Sequence, residues 1–153
     1  VGGAGMNRNV TPPAAEAVAD VRVLRVQDYD RIEAAVRERI KKQLLPEAKV
    51  ELTFERRRPP LEASPAAHAL AKHAQGIYKE LGMDLVVDAV AEGGGTDAAF
   101  AALKTQNAVL ERFGLRGFGA HSTDDEYVLV SSIEPRLYLA ARTIMDVARN
   151  RVR

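Results

Sequence analysis

Val50-Glu51-Leu52-Thr53-Phe54-Glu55-Arg56-Arg57-Arg58-Pro59-Pro60 decides how this chain divides. Val50, Leu52 and Phe54 alternate with Glu51, Thr53 and Glu55, which is the two-residue period of a strand with one wet face. The prolines end it, because Pro has no N–H to give a ladder and restricts the residue before it. The Arg-Pro cluster is therefore the expected linker between two units.

Upstream, Val21, Val23 and Val26 alternate with polar residues and predict another half-buried strand. Asp28 is a candidate N-cap for a helix whose apolar stripe is Ile32, Ala35, Val36, Ile40 and Leu44, with Pro46 as its stop. Strand, helix and strand in this order predict half of a split α/β sandwich. Before them, Val1–Gly5 is Gly-rich and Asn7–Pro13 reads as extended.

Downstream, Ser64-Pro65 places an N-cap before a Pro at the first helical position, with Leu70, Ala74, Ile77 and Leu81 as the inner stripe and Gly82 at C′. Leu85-Val86-Val87 and Ala108-Val109-Leu110 read as short strands. Gly93-Gly94-Gly95 forms a turn, and Thr96-Asp97 caps an Ala-rich helix. A Gly-spaced loop runs from Gly114 to His121, and a last helix starts near Ile133-Glu134-Pro135 with Leu137, Ala140, Ala141, Ile144, Met145 and Ala148 inward. Alternating helix and strand predict parallel α/β layering.

Composition narrows the function. The 153 residues carry 22 Lys plus Arg against 21 Asp plus Glu, and this balance, with 5% aromatics, argues against a nucleic-acid binder. No apolar run reaches the roughly 18 residues of a membrane span. Zero cysteines exclude disulfides, thiolate metal sites and a cysteine nucleophile. A soluble protein of unspecified compartment is expected.

Three features could carry chemistry. His68 and His73 sit about 140° apart around a predicted helix and cannot share a metal, so they read as solvated or half-buried helix residues. His121 lies in a Gly-spaced loop before Ser122-Thr123-Asp124-Asp125-Glu126, where a ring can face outward, although a loop histidine is more often structural. Gly93-Gly94-Gly95 can turn backbone N–H groups toward an anion or simply make a tight turn; no Gly-Lys-Ser/Thr follows it, so it is not a Walker loop. An Arg in the Arg56–Arg58 run can fork onto a carboxylate or lie solvated at a strand edge.

Seven segments stand in one order: Asn9-Val10-Thr11-Pro12, Ala19-Asp20-Val21-Arg22-Val23-Leu24, Leu44-Leu45-Pro46-Glu47-Ala48, Arg58-Pro59, Gly94-Gly95-Thr96-Asp97-Ala98-Ala99, Gly117-Phe118-Gly119-Ala120-His121-Ser122 and Arg136-Leu137-Tyr138-Leu139-Ala140-Ala141-Arg142. Together they resemble the glucarpidase-like zinc glutamate carboxypeptidases, in the metallopeptidase superfamily of aminoacylase and succinyl-diaminopimelate desuccinylase. The resemblance implies an α/β chain: residues 1–57 as the later part of a lid and dimerisation domain, and 58–153 as the C-terminal section of a dizinc catalytic domain. It implies that His121 is a zinc ligand, that Asn9, Arg58 and Gly95 recognise the carboxylate of the released amino acid, and that the protein forms a homodimer through the lid. Two zinc ions and an N-acyl amino acid or folate-like substrate follow from the same likeness, with no nucleic-acid or membrane partner.

Two departures accompany it. Glu92 stands where the resemblance leads one to expect a small hydroxyl residue, and a carboxylate there would repel a substrate carboxylate. The family's His-x-Asp pair, bridging Asp and Glu-Glu pair with the general base are absent from this sequence, which starts at Val1. The expectation is a C-terminal portion that is inactive alone. The alternative is a non-enzymatic α/β module that dimerises or binds a small carboxylate.

Overall fold

The computed structural model describes residues 2–3, 13–88 and 90–152. In order they form β1 (Gly2–Gly3), β2 (Ala15–Glu16), α1 (Asp28–Ile40), α2 (Pro65–Glu80), α3 (Ala98–Ala102), β3 (Gly117–Phe118), β4 (Tyr127–Val128), a 3₁₀ turn (Val130–Ser132) and α4 (Ile133–Ala148). The chain is thus mixed helix and strand. Both ladders are antiparallel: Gly2 faces Glu16 and Gly3 faces Ala15, while Gly117 faces Val128 and Phe118 faces Tyr127.

The expected strands around Val21–Val26, Val50–Phe54, Leu85–Val87 and Ala108–Leu110 join no ladder among the described residues, and neither does the expected parallel layer. The side-chain alternation is nonetheless present at one of them: Leu52 and Phe54 are half-buried while Glu51, Thr53 and Glu55 are exposed. The reason is pairing, since a strand exists only beside a neighbour that accepts and donates its backbone bonds.

Helix α2 forms as its sequence dictates. The Ser64 hydroxyl accepts from the Ala67 N–H at 3.1 Å, with Pro65 at the first position. At the other end the Gly82 N–H bonds the Lys79 carbonyl (2.9 Å), the Met83 N–H bonds the Tyr78 carbonyl (3.2 Å), and Gly82 has φ +68°. This is a Schellman close that needs a left-handed residue at C′. Helix α1 differs from expectation at both ends: Asp28 makes no cap bond, with Gln27 at the cap position, and the helix stops at Ile40, leaving Leu44 fully exposed. An Asp in the first turn still favours the positive end of the dipole.

The core lies between α2 and α4: Ala74, Ile77, Tyr78 and Leu139 are buried, and Leu85, Phe113 and Tyr138 pack against them. Helix α4 overturns its expected face. Leu139, Thr143 and Asp146 are buried, whereas Leu137 (64% exposed) and Ile144 (69%) point outward with Met145, Ala141 and Ala148. The inward side is chosen by a polar clasp. Asp146 Oδ2 meets His73 Nε2 at 3.0 Å, Arg142 donates to Asp146 Oδ1 (2.7 Å) and to Glu80 (3.1 Å), and the Tyr138 hydroxyl donates to Glu80 at 2.7 Å. A buried carboxylate requires such partners, so the helix turns its acidic residue in and leaves its most apolar stripe uncovered.

The clasp also sets an acid sensitivity. Burial pushes the Asp146 carboxyl up, but the His73 hydrogen bond and the Arg142 charge outweigh it and hold the group below its ordinary range. The Tyr138 hydroxyl and Arg142 hold Glu80 down as well. A carboxyl lowered on folding stabilises above its unfolded pKa of about 3.9–4.3, and that stability fades as pH falls toward the folded value. The urea midpoint is expected to stay level from about pH 7 to 5 and to fall progressively below about pH 4. Asp146→Asn should start from a lower midpoint and decline less steeply. An equally steep decline in that variant would exclude Asp146 as a source.

Candidate functional site

Arg58 is positioned by α1. The buried Tyr29 donates its hydroxyl to the Arg58 carbonyl at 2.9 Å, and its ring meets Phe54 edge-on at 6.3 Å. Arg56 braces the same segment, donating to Asp30 (2.6 Å) and Glu33 (2.9 Å) with its guanidinium 5.9 Å from the Tyr29 ring centre. The Arg56 guanidinium is held more basic than usual, first by the Glu33 hydrogen bond and then by Asp30. Of the triple arginine, Arg56 is thus structural, and Arg57 pairs outward with Glu55 at 2.7 Å. Arg58 is left to face the glycine turn.

There the structure brings Arg58 and Gly95 together. A β-carbon built on Gly95 would stand 3.0 Å from Arg58 Cδ, 3.2 Å from Arg58 Nη1 and 3.8 Å from Arg22 Nη1. Space rather than φ favours glycine here, since a β-carbon would push the Arg58 side chain aside. Arg22 donates to the Gly93 carbonyl, so two guanidinium groups lie on one Gly-rich turn. Each already holds a carboxylate at an exposed position: Arg58 pairs with Asp97 at 2.9 Å and Arg22 with Asp20 at 2.8 Å. Each fork thus sits in carboxylate-binding geometry, and an external anion would take it only by displacing Asp97 or Asp20. The Thr96 hydroxyl, rather than Asp97, accepts from the Ala98 N–H (3.2 Å), which frees the Asp97 carboxylate for Arg58. Arg22 carried no assigned role in the sequence; its part depends on a contact 71 residues away, which no local pattern announces.

His121 sits on the loop that joins β3 to β4, exposed and at φ +70°. Gly119 has φ +68° and no room for a β-carbon, which would overlap the Asp125 carbonyl. The Ser122 N–H bonds the Gly119 carbonyl at 2.8 Å, and the Ser122 hydroxyl accepts from the Asp125 N–H at 3.1 Å. Behind the loop Phe118 stacks on Tyr127 at 5.3 Å, and Arg116 and Ser132 bind the hairpin to the start of α4. The loop is a defined turn that holds the ring outward. No hydrogen bond to the His121 ring occurs among the described residues, and no group of three His, Cys, Asp or Glu there could hold a metal. One imidazole does not make a zinc site, so these residues alone do not fit the metal that the resemblance implies. Asn9 lies outside the described residues.

Residues 3–146 match peptidase family M20/M25/M40. The chain belongs to that family. It is also 44% identical over 144 residues to carboxypeptidase G2 of Pseudomonas sp. (strain RS-16), a match that covers 94% of this chain and 34% of the relative. This M20 chain thus spans about a third of the length of the curated relative it matches. No helix among its described residues is long and apolar enough to cross a membrane.

Proposed function

We propose that this chain is the C-terminal part of a zinc-dependent metallocarboxypeptidase that hydrolyses an amide to release a C-terminal amino acid, glutamate being the candidate, from N-acyl or folate-like substrates. The observation that carries it is the pair of guanidinium groups, Arg58 and Arg22, on the Gly93–Gly95 turn. Arg58, Gly95 and Asn9 hold the carboxylate of the leaving amino acid, and Arg22 offers a fork for a second one. His121 contributes one ligand to a zinc site whose remaining ligands and general base come from outside this chain.

The same proposal divides the chain into a partial lid, 1–57, which carries the homodimer contact, and a partial catalytic unit, 58–153. The unpaired extended runs and the bare apolar stripe of α4 support it, since both are features that the remainder of a family-length protein would cover.

Calorimetric titration of the chain with glutarate tests the carboxylate site. Arg58→Ala should abolish binding, and Gly95→Ala, which displaces the Arg58 guanidinium, should weaken it about tenfold with little change in Tm. Unchanged affinity in Arg58→Ala would end the carboxylate assignment. The isolated chain should retain no stoichiometric zinc and cleave no acyl-glutamate. Two zincs per chain with turnover would refute the division of labour.

A further inference from the structure

Glu92 immediately precedes the glycine turn on which Arg22 and Arg58 converge. A mobile carboxylate at that point would compete for both guanidinium groups with any carboxylate ligand. The structure gives Glu92 another partner. Its Oε2 lies 2.6 Å from Arg112 Nη2, while Arg112 Nη1 faces Asp88 at 4.0 Å. The same Nη2 stands 3.6 Å from where a β-carbon on Gly94 would be, so the guanidinium lies along the turn.

Arg112 reaches this place from a left-handed backbone, φ +57°, a conformation that disfavours every residue with a β-carbon. Its carbonyl accepts from Arg136 Nη1 at 3.5 Å. The Glu92 hydrogen bond, and then its charge, hold Arg112 more basic than usual. A strained residue whose side chain closes on a carboxylate next to the binding turn is placed to control that carboxylate.

We propose that Arg112 is a positioning residue for the carboxylate site: by pairing with Glu92 beside the Gly turn it keeps that negative charge from joining Asp20 and Asp97 on Arg22 and Arg58, so that an incoming anionic amino acid has one carboxylate fewer to displace. The proposal rests on the carboxylate assignment of Arg58 and Gly95. It accounts for the departure at position 92, because the charge that would repel a substrate is neutralised by a residue 20 positions later in the chain. Arg112 does not touch the ligand; it acts through Glu92.

The test is glutarate titration of the chain and its variants, read by calorimetry and by the NMR shifts of the Gly93–Gly95 amides. Arg112→Ala keeps a β-carbon on the left-handed backbone and adds no new strain, but it frees Glu92; binding should weaken about tenfold. The double variant Glu92→Gln/Arg112→Ala should recover to within about threefold of the unaltered chain, because the released side chain no longer carries charge. A residue that only stabilised the fold, or bound the ligand directly, would show no such rescue. Two outcomes overturn the proposal alone: unchanged affinity in Arg112→Ala, or a double variant as weak as Arg112→Ala, in either case with Arg58-dependent binding intact. An unaltered chain that ignores glutarate overturns the carboxylate assignment and this proposal with it.

Discussion

Leu139→Ala should lower the stability of this chain by about 3 kcal/mol, whereas Ile144→Ser on the same helix should cost about 0.5 kcal/mol or less. Among the described residues Leu139 is the largest side chain with no exposure, and it packs with Ala74, Ile77 and Tyr78 in a buried cluster that joins α2 to α4. Truncating it removes transfer free energy and leaves a void in a core too small to collapse around it. Ile144 is 69% exposed, and Ser has about the same helix propensity as Ile, so little is lost. Urea unfolding of the two variants measures the contrast directly. In a family-length parent the ranking should narrow sharply, with Ile144→Ser costing about 2 kcal/mol or more as the bare stripe of α4 becomes interior. An Ile144→Ser penalty that stayed negligible there would mean that this face is solvated in the whole protein, and the division proposed above would lose one of its supports.

The second large effect is at Gly119. Alanine there must adopt φ +68°, which costs an L-residue about 1–2 kcal/mol, and its β-carbon would overlap the Asp125 carbonyl. The obstacle is backbone, which cannot swing aside as the end of a side chain can. Gly119→Ala should therefore open the β3–β4 turn, separate Phe118 from Tyr127 and release His121 from its orientation. In the isolated chain the loss of ring-current shifts between those stacked rings reports the opening. In a family-length parent the same substitution should cut turnover by orders of magnitude, as His121→Ala should. A variant that kept both the stacked rings and full activity would show that the loop tolerates another path. Gly95 is the instructive contrast: the atoms its β-carbon would meet belong to the flexible Arg58 and Arg22 side chains, so alanine there should disturb binding and spare the fold.

Local structure was legible wherever it depends on near neighbours. The Ser64-Pro65 cap and the Gly82 close of α2 follow from bonds spanning a few residues, and both are present. The start of α4 at Ile133 was legible in the same way. The strands were not, for a physical reason: alternation at Val50–Phe54 specifies which side chains are wet but cannot supply a partner strand. At the candidate site, Arg58 and Gly95 could be named only through the family resemblance that their motifs carry. Arg22, Asp97 and Arg112 could not, because what joins them to those two is contact between segments distant in the chain.

The face of α4 separates the two kinds of knowledge most clearly. Periodicity alone established an amphipathic helix whose most apolar stripe is Leu137, Ala140, Ala141, Ile144, Met145 and Ala148. Which side meets α2 is a matter of packing, and it is the side with Asp146, where His73 and Arg142 can satisfy a buried carboxylate. The same holds at the run of arginines that follows Val50–Phe54. Two prolines and a cluster of guanidinium groups falling together at residues 56–60 could be read from the sequence alone. The fold decided that Arg56 braces α1, Arg57 points away and Arg58 faces the glycine turn, because each direction is set by the element that happens to pack beside it.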